Sequence, residues 1–200
     1  MNYSFQTINA PVEEIIFKEK GSKFIGYAFP VSDEEEIKEK LAELWKKYPD
    51  ATHICYAYRL GIDGEIYRAN DDGEPSGSAG LPIYNQIVSK GITNVLVASV
   101  RFYGGTKLGV SGLIKAYKLS SQSTLEQAEI VEKYLTKKLE FEFSYEDQGS
   151  VMRNIDKFNA EVLKTEFTES CKVEVRIEQR DLESFLAAFE PLYQVGIKVL

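Results

Sequence analysis

The sequence predicts an α+β chain of two domains, residues 1–130 and residues 131–200, the second a ferredoxin-like unit. Three observations predict it. Before residue 129, stretches of period-two alternation are interleaved with stretches of helical period. Glu129 to Glu132 is a polar passage, and the pattern changes after it. Beyond it the segments run strand, helix, strand, strand, helix, strand, which is the ferredoxin-like order. With 44% hydrophobic and 12% aromatic residues over 200 positions, the chain can supply a core to each domain.

Glu14 to Lys20 and Lys23 to Val31 read as the strands of a hairpin turning at Gly21-Ser22. Ser32-Asp33-Glu34-Glu35 reads as a capping box whose acidic first turn suits the helix dipole. Ile37, Leu41, Leu44, Trp45 and Tyr48 mark the buried face of that helix, which ends at Pro49-Asp50. Thr52 to Leu60 is a strand with His53, Cys55, Ala57 and Arg59 on one face and Ile54, Tyr56, Tyr58 and Leu60 on the other. His53 and Cys55 lack the further ligands a zinc site needs, so His53 reads as a hydrogen-bonded, partly buried side chain. Gly61 to Gly64 is a turn, and Glu65 to Arg68 is a short returning strand.

Asp71, Asp72 and Glu74 form an acidic loop, followed by the small residues Ser76, Gly77, Ser78 and Gly80. Leu81, Tyr84, Ile87 and Val88 then have helical spacing, and Gly91 closes the helix. A Ser/Gly turn entering a helix offers backbone N–H groups to an anion. No metal site is expected, the nearest candidates for Mg²⁺ ligands being Asp71, Asp72 and Glu74. The plainer reading is a solvated acidic turn before a capped helix, because Gly and Ser mark turns more often than ligands.

Ile92 to Phe102 is the most strand-like run and is expected at the centre of a sheet. It leaves through Gly104-Gly105, which permit positive φ and close backbone approach. A helix from about Leu108 is expected to turn Val110, Leu113, Ile114, Tyr117 and Leu125 to the core. Arg101, Lys107, Lys115 and Lys118 fall between residues 101 and 120, where no acidic residue occurs. The whole chain has a formal net charge of −7: residues 1–130 hold 14 Lys and Arg against 17 Asp and Glu, and residues 131–200 hold 10 against 14. The segment is therefore a positive island in an acidic chain. It matches neither a Walker A loop nor a dinucleotide fingerprint. It reads as an anion- or RNA-binding site made of Arg101, Tyr103, Gly104, Gly105, Lys107, Gly109, Ser111, Lys115 and Lys118. Asp71, Asp72, Glu74, Ser76, Gly77 and Ser78 are placed on a loop opposite. In a competing reading Asp71, Asp72 and Glu74 neutralise Arg101 and Lys107, and the island is half of an internal network.

In the second domain Lys133 to Tyr145 reads as a strand with a phase slip near Thr136. Val151, Met152, Ile155 and Phe158 mark a helix. Glu161 to Thr168 and Cys171 to Glu178 are strands around a Glu169-Ser170 turn. Leu182, Phe185, Leu186 and Phe189 mark a second helix capped by Asp181, and Val195 to Leu200 is the last strand. Cys55 and Cys171 form no CxxC pair and suit a reducing interior. No signal peptide and no apolar run of transmembrane length is seen, so the expectation is a soluble, cytoplasmic chain with no membrane partner.

Three motifs carry a family resemblance: Thr52-His53-Ile54-Cys55-Tyr56-Ala57-Tyr58-Arg59, Asp71-Asp72-Gly73-Glu74-Pro75-Ser76-Gly77-Ser78-Ala79-Gly80, and above all Arg101-Phe102-Tyr103-Gly104-Gly105-Thr106-Lys107-Leu108-Gly109. With them the chain resembles the IMPACT family, also called the YigZ family, in its bacterial two-domain form. The resemblance implies a ribosomal protein S5 domain 2-like first domain and a second domain similar to domain V of elongation factor G. It also implies a link to translation, since eukaryotic members regulate the general amino-acid-control kinase with help from an RWD domain. No RWD domain is read before the first strand here, so that role is not expected to carry over. The resemblance implies no catalytic residue.

The leading expectation is a translation-linked regulatory protein that binds RNA or a ribosome-associated protein and does not read DNA sequence. One alternative is a nucleotide- or phosphate-binding enzyme, and only that reading calls for Mg²⁺ as cofactor. The other is a protein-interaction adaptor without a small ligand.

Overall fold

The computed structural model describes residues 3–167 and 170–200. Thr168 and Glu169, expected to end one strand and to begin a turn, lie outside the described residues. The chain divides into two compact units, residues 4–133 and residues 134–200.

The first unit is built on a five-stranded sheet. Its strands are β2 (Val12–Glu19), β3 (Ser22–Pro30), β4 (His53–Leu60), β5 (Ile66–Asn70) and β6 (Val95–Phe102). Their order is β2-β3-β6-β4-β5, and every neighbouring pair is antiparallel. The hairpin turns at Lys20-Gly21 rather than at Gly21-Ser22. Both residues have positive φ, 44° and 82°, and Glu19 pairs with Ser22 across them. Two positive φ values are what a two-residue turn needs to match the twist of its strands. β6 is the buried central strand that its apolar run predicts, but it begins at Val95, because Asn94 takes a φ of 52°.

Helices cover both faces of the sheet. α1 (Glu34–Lys47) packs Ile37 and Leu44 against Ile25, Tyr27, Phe29, Ile54, Tyr58 and Val100. Its N-cap is Asp33, whose carboxylate accepts from the Glu35 and Glu36 N–H groups at 2.9 Å, while Glu36 accepts from Ser32 N–H. α2 (Gly80–Ser89) and α3 (Gly109–Glu126) cover the other face, over Phe24, Ala28, Cys55, Ala57 and Val97. The alternation expected along β4 is thus present, with Cys55 and Ala57 in one core and Ile54 and Tyr58 in the other. Each large apolar side chain fully buried here contributes about 1.5–3 kcal/mol, whereas an exposed ion pair such as Lys38–Glu35 contributes about 0–1 kcal/mol. The two cores therefore hold the unit together.

Several helix faces differ from expectation. Trp45, Leu81, Val88, Val110 and Ile114 are exposed, although their spacing places them in the core. α3 instead buries Ala116, Ser120, Ser121 and Thr124 beside Leu113, Tyr117 and Leu125. The reason is close approach: a Cβ added at Gly26 on β3 would lie 1.8 Å from Thr124 Oγ1. Only small side chains fit between backbones that near.

One strand lies outside the predicted ones, and the strand predicted over residues 133–145 is broken at Leu135. β1 (Ser4–Ile8) pairs with β7 (Ile130–Tyr134) in a separate two-stranded sheet. Most of β7 is exposed and partly charged, so it carries no apolar alternation. Residues 131–133 consequently belong to the first unit, not the second.

The second unit contains β8 (Thr136–Phe143), α4 (Gln148–Lys157), β9 (Glu161–Phe167), β10 (Cys171–Glu178), α5 (Leu182–Ala187) and β11 (Gly196–Val199). The sheet order is β11-β8-β10-β9, antiparallel throughout, which is the ferredoxin-like arrangement. Leu139, Phe141, Phe143, Val173 and Val175 meet Val151, Ile155, Phe185 and Phe189 in its core. Asp181 makes no side-chain cap; a 3₁₀ turn over Gln179–Asp181 leads into α5 instead.

Candidate functional site

The glycine turn after β6 is pinned from two sides. Tyr103 N–H donates to Thr52 Oγ1 at 3.0 Å, and Gly104 N–H donates to Ser22 Oγ at 3.2 Å. The two glycines do different work. Gly104 lies against the hairpin, where a Cβ would come within 1.9 Å of the Gly21 carbonyl carbon. Gly105 has a φ of 82° and open space where a Cβ would stand.

Beside this turn is a cleft of about 410 Å³. Thr52 and His53 at the start of β4 form one wall, Glu74 and Pro75 a second, and Arg101, Tyr103 and Lys107 a third. Leu108, Gly109, Val110 and Leu113 at the start of α3 complete it. His53 stands opposite Arg101 in the β4–β6 register. Its Nδ1 lies 2.6 Å from the Asp72 carbonyl, which can only accept, so Nδ1 carries a proton there. The expected hydrogen-bonded His53 is found, now at the edge of the cleft.

Arg101 is not a free cation. Its side chain and that of Glu74 are 6% and 4% exposed and form a buried ion pair. Glu74 Oε1 also accepts from the Tyr117 hydroxyl at 2.8 Å. The guanidinium lies over the Phe24 ring, 5.6 Å from its centroid, and reaches Ser22 Oγ at 3.4 Å. Burial above all pushes the Tyr117 hydroxyl and the Cys55 thiol upward, so both stay neutral. For Arg101, the internal-network reading is the one the geometry supports.

The other carboxylates are also engaged. Asp71 accepts from the N–H groups of Gly77, Ala79 and Gly80 at 2.8–2.9 Å. Burial works against its charge, but these three donors outweigh it and hold the carboxyl below its ordinary range. The N-terminus of α2, expected to receive an anion, thus receives Asp71. Asp72 accepts from Ile54 N–H at 2.7 Å. Asp71, Asp72 and Glu74 turn to three separate partners, and no cluster of three or more metal-ligating side chains occurs among the described residues. Ser76 is exposed and Ser78 is fully buried.

The predicted basic set is divided. Lys107 lines the cleft, and no ion pair of it occurs among the described residues. Lys118 lies in a separate groove between α2 and α3, and Lys115 and Ser111 are exposed on α3 outside the cleft. One property of the cleft was not legible beforehand. α1 starts on Asp33 and α2 on Asp71, but α3 has no side-chain cap and no acidic residue in its first turn. Its N–H dipoles open beside Lys107 without an internal anion.

In the second unit the open sheet face carries charges of both signs: Lys172 faces Glu142, Glu174 faces Glu140 and Arg176 faces Lys138. These positions carry no aromatic platform for stacking on bases.

The two units, a sheet covered by helices on both faces and a ferredoxin-like domain, define a class of two-domain α+β proteins, here with a cleft at a glycine turn. An Impact N-terminal domain model matches residues 20–125. The IMPACT family member YvyE of Bacillus subtilis is 31% identical over 185 residues, covering 92% of this chain and 85% of that protein. The family member YigZ of Escherichia coli is 36% identical over 118 residues, covering 58% of this chain and 56% of that protein. A crystal structure of a hypothetical protein aligns over 100% of this chain and 98% of its own, with a TM-score of 0.75 at 24% identity. The chain belongs to the IMPACT family, and its fold is the S5 domain 2-like unit followed by the ferredoxin-like unit that the resemblance implies. Among the described residues no helix is long and apolar enough to cross a membrane.

Proposed function

We propose that the chain is a binding module of translational control that takes RNA phosphates at the glycine-turn cleft. The observation that carries this is the start of α3: an uncapped helix N-terminus beside an unpaired lysine, both on the cleft. Tyr103, exposed at the rim with the Arg101 guanidinium 5.7 Å from its ring centroid, offers a face on which a base can stack. Family membership supports the link to translation. The Mg²⁺-dependent enzyme alternative is weaker, because its three candidate ligands are committed to Arg101 and to backbone donors. The two buried free thiols, Cys55 and Cys171, suit a cytoplasmic setting.

The test is fluorescence anisotropy of a short single-stranded RNA with the full chain across a salt series. Log affinity is expected to fall linearly with log salt, and Lys107→Ala to reduce that slope by about 1. Lys115→Ala, outside the cleft, is expected to leave the slope unchanged. Binding that ignores salt, or no binding, overturns the reading.

A further inference from the structure

The outer face of the helical layer has a character the cleft does not use. From Pro75 to Leu125 the chain contains no aspartate or glutamate; its cations there are Lys90, Arg101, Lys107, Lys115 and Lys118. This gap spans most of α2 and α3 and their connection, in a chain of formal net charge −7. Arg101 is neutralised inside, so the uncompensated charge sits on surface lysines. α2 and α3 pack side by side, and a groove of about 270 Å³ runs between them. Leu81, Asn85 and Gln86 line it from α2, and Ile114 and Lys118 from α3. Leu81 is 50% exposed, Ile114 40%, and Val88, one stripe along α2 from Leu81 and Asn85, 45%. α2 itself carries no charged residue.

We propose that this groove docks an amphipathic helix of a protein partner whose polar flank is acidic. The space between two packed helices accepts the ridge of a third. Leu81, Val88 and Ile114 supply apolar area that nothing in the unit covers, Lys118 lines the groove, and Lys115 stands exposed one residue after Ile114 on α3, charge that an acidic helix matches. RNA fits this surface less well, because aliphatic side chains give bases nothing to stack on. A second copy fits less well too, since a twofold pairing of this face would bring its lysines together.

The probe is a stapled peptide of about four helical turns, with leucines at i, i+3, i+4 and i+7 and glutamates on both flanks. Its control is the same peptide with lysine in place of glutamate. Both are titrated into the full chain and followed by amide chemical shifts and anisotropy. Saturable binding is expected, with shifts confined to residues 81–90 and 111–122. The acidic peptide is expected to bind about tenfold or more tightly than the basic one. Ile114→Glu is expected to abolish binding without changing Tm, as the side chain is exposed; Leu81→Glu is a second variant of the same kind. Equal binding of the basic peptide, shifts elsewhere, no saturable binding, or full affinity in both variants would overturn the proposal. Displacement of the peptide by single-stranded RNA would overturn it as well, assigning the groove to nucleic acid.

Discussion

Glu74→Ala is expected to destabilise the chain by about 3–5 kcal/mol in urea unfolding. The substitution leaves the Arg101 guanidinium buried without its counter-charge and takes the acceptor from the Tyr117 hydroxyl. A buried cation cannot recover this by titrating, because guanidinium stays protonated at any working pH. Removing both charges together, as Glu74→Leu with Arg101→Met, is expected to cost much less than the sum of the single changes. A single-variant loss below about 1 kcal/mol, the range of an exposed pair, would mean that the pair is wet and that Arg101 is available to ligands after all.

Gly104→Ala is expected to cost about 3 kcal/mol, at the upper end for an overpacked site. The added methyl meets the backbone of Gly21 at 1.9 Å and of Ser22 at 2.2 Å, and neither can rotate away. The β2–β3 hairpin or the glycine turn must move, and the Gly104 bond to Ser22 is lost with it. RNA affinity is expected to fall as well, since that turn places Lys107. Gly105→Ala separates the two effects. It suffers only its positive φ, with open space around the methyl, and is expected to cost about 1 kcal/mol. Equal losses for the two variants, measured by thermal and urea unfolding, would show that conformation rather than contact explains Gly104.

These glycines show how far the sequence could be read. Period and turn chemistry located the strand, the break and the helix, because those signals are local. Which glycine serves contact and which serves φ depends on a hairpin some eighty residues earlier. The charge island was legible as a count, but a count does not show that Arg101 points inward to Glu74 while Lys107 points out. His53 could be placed on a strand face, yet its position opposite Arg101 follows from the β4–β6 register, which no local pattern encodes. The buried face of α3 departs from its apolar spacing for a related reason. Apolar spacing placed Ile114 and Val110 in the core, whereas the close seat of α3 on β3 selects Ser120, Ser121 and Thr124 for the buried side.

The most direct test of the central claim is an amide chemical-shift titration of the full chain with single-stranded RNA at low salt. The predicted result is saturable shifts at Gly105, Lys107, Gly109 and Val110, reversed by added salt, with the open sheet face around Glu140 and Glu174 unmoved. Shifts confined to that sheet face, or none at the start of α3, would contradict it.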